Sequence, residues 1–173
     1  MKKGLLWGLL AAVLCFSSVS EAVQTRLVIR AHSKDAKFVG TSMGGARIVV
    51  TDSQTGKVIA EGLTEGGTGD TQKIMIEPRT RYKSIADGAA KFETSIDIDE
   101  PKLLTVSAEA PYLHRDNMVR STTQVWLIPG RDIDGDGLIL EIPGFSVDMR
   151  SPGTLALEGG NAVIPVEARI VMI

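Results

Sequence analysis

The chain has 173 residues, with 19 Lys and Arg against 21 Asp and Glu and a formal charge of −2. That balance gives no electrostatic attraction for nucleic acid or an anionic membrane surface. The single cysteine, Cys15, excludes an internal disulfide, and a mature part of about 150 residues is long enough to bury one core without cross-links.

Lys2 and Lys3 open the chain, Leu5 to Phe16 runs without a charge, and Ser20-Glu21-Ala22 sets small residues at a cleavage position. This three-part layout predicts a secretory signal peptide over residues 1–22, cleaved after Ala22, because the apolar run is short for a membrane span. An uncleaved anchor is one alternative. Lipidation at Cys15 is another, although bulky Leu14 and Phe16 flank that cysteine. Removing Lys2, Lys3 and Glu21 with the leader leaves 17 basic and 20 acidic residues and no cysteine. No second apolar run approaches membrane-spanning length. The mature chain, residues 23–173, is expected to be soluble, periplasmic or extracellular, and folded as one domain.

Period-two alternation and β-branched residues predict strands over Thr25–Ala31, Ala46–Thr51 and Lys57–Leu63. The last two flank Asp52-Ser53-Gln54-Thr55-Gly56, residues that tolerate tight backbone, and make the clearest hairpin in the sequence. Further strands are predicted over Gln72–Glu77, Phe92–Ile98, Leu103–Glu109, Thr122–Ile128, Leu138–Ile142, Phe145–Met149 and Ala162–Met172. Arg79 to Ala90 reads as loose or as one or two helical turns, and Pro111 to Arg120 as a long loop. Many short strands between turn residues predict an all-β sandwich of about seven to nine strands, immunoglobulin-like or transthyretin-like.

The segment Gly45–Gly62, with Ala46-Arg47-Ile48-Val49-Val50-Thr51-Asp52 and Thr55-Gly56-Lys57-Val58, resembles the opening hairpin of carboxypeptidase-regulatory and transthyretin-like modules. The resemblance implies a fold class, a small sandwich, and is silent on activity. The ring-opening enzymes of the transthyretin family carry a C-terminal Tyr-Arg-Gly-Ser signature, and this chain has Ala168-Arg169-Ile170-Val171-Met172-Ile173 instead. Val125 to Gly130 together with Leu140 to Phe145 looks like a segment of short exported bacterial proteins with no assigned function.

Three groups of residues carry candidate chemistry. Gly40-Thr41-Ser42-Met43-Gly44 matches the Gly-x-Ser-x-Gly nucleophile elbow, and the mature chain offers His32 or His114 as base. The elbow needs a strand before the serine and a helix after it, whereas Arg47-Ile48-Val49-Val50 reads as a strand. Asp132-Ile133-Asp134-Gly135-Asp136-Gly137 has alternating carboxylates and a sixth-position glycine, as in the first half of an EF-hand loop, so calcium is the candidate ligand. The closing glutamate is missing: position twelve is Pro143 and Glu141 lies two residues early. The other reading of this segment is a polar hairpin tip joining Thr122–Ile128 to Leu138–Ile142. Trp126 with Tyr112 and Phe145 forms an aromatic contact surface if exposed, and core if not.

Three function classes follow. The leading one is a non-enzymatic exported module that binds another envelope or extracellular protein as an accessory or structural subunit. It rests partly on the apolar last strand, which at a sheet edge would offer unpaired backbone groups. The alternatives are a small-ligand or carbohydrate module, with Trp126 or Tyr82 in a concave site, and a serine hydrolase using Ser42.

Overall fold

A computed structural model describes residues 21–173, so the expected signal peptide, with Lys2, Lys3 and Cys15, falls outside the described residues but for its last two positions. Nine strands follow in order: β1 (Val23–Ser33), β2 (Arg47–Asp52), β3 (Val58–Leu63), β4 (Phe92–Ile98), β5 (Lys102–Ala110), β6 (Val119–Leu127), β7 (Ile133–Ile142), β8 (Phe145–Arg150) and β9 (Glu167–Met172). Two sheets with the orders β4-β1-β7 and β3-β2-β5-β6 form a β-sandwich, and β8 and β9 form a separate two-stranded ribbon. Most pairs are antiparallel, but β1 and β7 run parallel.

Alternation explains the core. Leu27, Ile29 and Ala31 of β1 meet Ile48 and Val50 of β2 and Leu104, Val106 and Ala108 of β5. Ile96, Ile98, Leu127, Leu140 and Ile142 complete it, and all are buried. The sandwich closes at its sides through β3 against β4 and β6 against β7. The outer face of the four-stranded sheet is polar, and Glu61, Arg47, Glu109 and Arg120 form a chain of ion pairs at 3.0–3.1 Å across it.

The expected hairpin is β2–β3. The Asp52 carboxylate accepts from the amides of Gln54 and Thr55 at 2.9 and 3.0 Å, and Lys102 donates to it at 3.0 Å. These bonds hold Asp52 at a pKa of about 2.

Three predicted elements are corrected. Gln72–Glu77 is a helical turn over Gln72–Ile76, closed by the Glu77 amide on the Gln72 carbonyl at 2.9 Å. Asp70 starts it by accepting from the amides of Gln72 and Lys73, a local capping bond that outcompetes β propensity. The last strand spans Glu167–Met172 rather than beginning at Ala162, since Pro165 has no amide to donate to a ladder. Asp132–Gly137 is not a hairpin tip. β6 and β7 lie in different sheets, joined by a tight turn with a bridge between Ile128 and Arg131.

Residues 64–91, between β3 and β4, cross the outer face of β1. There Ile74, Ala86 and Ala89 pack with Phe38 in a second small core. This cover is why β1 is buried on both faces from Leu27 to Ser33.

Candidate functional site

The acidic segment is a bulge. Leu27 is opposite Ile133 while Ile29 is opposite Leu138, so residues 134–137 leave the parallel ladder. Gly137 makes this feasible: its φ is +69°, and a Cβ there would collide with the Val28 carbonyl. The bulge sends its carboxylates in two directions. Asp132 accepts from the Arg26 amide at 2.8 Å, and the Arg26 guanidinium lies 3.6 Å from Asp132 and 3.1 Å from Asp134. Asp136 points toward the covering loop and accepts from the Ser84 hydroxyl at 2.5 Å and the amides of Ile85 and Ala86 at 3.1 and 3.2 Å. Burial pushes the Asp136 pKa up, but these donors and Arg30 outweigh it and hold the carboxyl below its ordinary value. Among the described residues no group of three or more His, Cys, Asp or Glu is placed to hold a metal ion. The three aspartates act as a latch in this structure, two on Arg26 and one on the loop.

Arg30 is the centre of that latch, and its place within the β1 alternation gives no sign of that role in the sequence. It is 6 % exposed and donates to the carbonyls of Asp136, Ala89, Ala90 and Gly135 at 2.7–3.2 Å. Desolvation lowers its pKa, against the pull of Asp136, Asp87 and Glu93. Beside it on the same face, His32 is buried edge-on to Phe38, with ring centroids 5.0 Å apart. Its Nε2 has no hydrogen-bond partner.

Ser42 lies in a one-turn helix, Thr41–Met43, that leads through Gly44 toward β2, not in a strand-to-helix elbow. The turn adjoins the segment after β5, where the Leu113 amide donates to the Met43 carbonyl at 3.3 Å. No hydrogen bond links Ser42 with either His114 or His32.

The three aromatic candidates do not converge. Trp126 is 55 % exposed near the end of β6 that pairs with the start of β5. Tyr112 follows β5 at the opposite end, its ring under the Arg115 guanidinium at 4.4 Å and its hydroxyl accepting from Arg115 at 3.0 Å. Phe145 lies at the start of β8. Tyr82 is almost wholly exposed in the covering loop.

Phe145 belongs to a larger surface. In the β8–β9 register it faces Met172, Val147 faces Ile170, and Met149 faces Ala168. Directly opposed residues of an antiparallel pair share a face, so these six side chains make one wholly apolar face. The five large ones are 56–68 % exposed. The other face carries Asp148 opposite Arg169 and Arg150 opposite Glu167. It turns to the body, where Asp148, Arg150 and Arg169 line a polar cleft of about 330 Å³ with His114 and Arg115.

Amphipathic strands ordinarily put the apolar face on the core; this ribbon does the reverse. Its root is fixed: Ile173 is buried in the main core, and its amide donates to the Gly144 carbonyl at 2.9 Å. Beyond the root, every residue from Met149 to Ile170 is exposed, including Leu155, Leu157, Val163, Ile164 and Val166. Gly159 and Gly160, with φ of 59° and 84°, turn the arm at its tip. Such an apolar surface on a folded chain marks an interaction site.

No protein-family model, no curated protein and no solved structure matches the chain.

Proposed function

We propose that this chain is a non-enzymatic exported β-sandwich module that acts as a structural or accessory subunit and docks onto a protein partner through its β8–β9 arm. One observation carries the reading: an apolar ribbon face of on the order of 500 Å² points away from the body. A two-stranded ribbon alone in water is marginally stable, and covering this face supplies the missing second layer. Export accords with the charge-free run from Leu5 to Phe16 and with β1 opening at Val23, directly after the expected cleavage position. Among the described residues no helix is long and apolar enough to cross a membrane. The Gly45–Gly62 resemblance supports a transthyretin-like sandwich as scaffold.

Affinity purification of the tagged chain from its native envelope tests the reading, using wild type beside Val147→Glu, each in calcium and in chelator. The expected result is a companion, whether an untagged copy or another chain, that follows wild type and is lost with Val147→Glu in both buffers. A companion retained equally by Val147→Glu contradicts docking through the arm. Loss of the companion in chelator returns Asp132, Asp134 and Asp136 to a calcium role.

A further inference from the structure

We infer that the occupant of the arm's apolar face is the same face of a second copy of this chain, the two ribbons packing as a small two-layer sandwich about a twofold axis. The inference rests on reading the arm as a docking surface.

Area is the first reason. Two such faces, each of on the order of 500 Å², bury on the order of 1,000 Å² in total when packed together, which reaches the size of roughly 1,000 Å² that a specific interface needs. Charge is the second. A twofold interface sets a surface against itself, so any charge on it meets a like charge. The face of Phe145, Val147, Met149, Ala168, Ile170 and Met172 carries none. The charges of the ribbon sit on the opposite face, where Arg150 pairs with Asp148 at 3.1 Å. Shape is the third: two ribbons of equal width and twist stack in the ordinary aligned geometry of sheet on sheet.

A lipid bilayer fits the same face less well. The paired strands, Phe145–Arg150 and Glu167–Met172, reach about 20 Å, whereas a spanning strand needs about 9–11 residues. Pro152 and Pro165 lie just beyond the ladder, where neither offers an amide to extend it.

The test is the molar mass of the mature chain by light scattering over a concentration series, for wild type, Val147→Glu and Met149→Lys. Circular dichroism confirms that each variant is folded, and flotation with neutral and anionic phospholipid vesicles runs in parallel. The expected result is a wild-type dimer and a dissociation constant at least about 30-fold weaker in each variant, with no flotation. A wild-type dimer unaffected by both substitutions overturns the inference. A wild-type monomer also overturns it, and the co-purification then decides the wider reading. A Val147-dependent companion of different mass leaves the docking arm standing, and none removes both. Flotation of wild type that is lost in the variants overturns the inference in favour of lipid.

Discussion

His32 is a neutral imidazole buried against Phe38. Burial pushes its pKa below the ordinary 6.5 and Arg79 adds to that, while Glu141, a hydrogen bond with the Ala36 backbone and Asp35 act the other way. Above 6.5 the ring is neutral in both the folded and the unfolded chain, so it adds no pH dependence. Below 6.5 the unfolded chain takes up the proton first, and stability falls until the native ring also titrates. Urea unfolding should therefore give a flat free energy above 6.5 and a decline below it. His32→Phe should abolish the decline between 6.5 and the carboxylate range. A decline of unchanged size in that variant would assign it to another group. Asp52 acts in a separate window, because its contribution is full above 3.8 and is lost as pH falls through about 2. Arg30 has the larger effect at neutral pH. Truncation to Ala leaves four carbonyls without their donor inside the latch, a loss of about 3–5 kcal/mol. The thermal midpoint should fall by on the order of 10 °C, and a fall of only a degree or two would mean that water replaces the guanidinium.

At the scale of elements, the bulge over residues 134–137 and the covering loop stabilise each other. Asp136→Ala removes the acceptor of two backbone amides and one hydroxyl, and should cost about 2 kcal/mol with increased proteolysis near Ser84. Because all three carboxylates are already engaged by donors, calcium should not move the thermal midpoint relative to chelator. A rise on adding calcium would show the latch opening to a metal. The arm behaves differently. Replacing residues 151–166 by Asn-Gly, a turn suited to a two-residue hairpin loop, should change stability by less than about 1 kcal/mol, since that stretch is exposed throughout.

Which of these elements the sequence discloses depends on how local their causes are. β2–β3 is legible because its alternation and the Asp52 turn are both contained in the hairpin. Gln72–Ile76 alternates as a strand does, and the capping group that decides for a helical turn, Asp70, stands just outside that window. The acidic segment is visible as a cluster, but its shape depends on Arg26 and Arg30, on a strand more than a hundred residues earlier. In β8 and β9 alternation reveals an apolar and a polar side without revealing which side meets the body. The close seat of Gly144 against the Lys34 carbonyl and the burial of Ile173 fix that orientation. Phe145 is thus a contact candidate that the structure places on an exposed surface, beside Val147 and Met149 of its own strand and Ile170 and Met172 of the apolar last strand. Trp126 and Tyr112 stand at opposite ends of β6 and share no site with each other.

As a whole, the molecule joins a sandwich with a closed core to an arm that is rooted in the core and finished nowhere else. Its second small core, pinned by Arg30 and Asp136, stiffens the sheet from which β7 leads into that arm. The division of labour predicts that substitutions in the latch lower stability and leave docking intact, and that substitutions on the arm's apolar face do the opposite. The most direct test is a photo-activatable cross-linking side chain placed at Val147 or, on the other face, at Asp148, with irradiation of intact cells. Docking through the apolar face predicts a discrete protein adduct from position 147 and little or none from position 148. No adduct from position 147, or equal adducts from both, would contradict it.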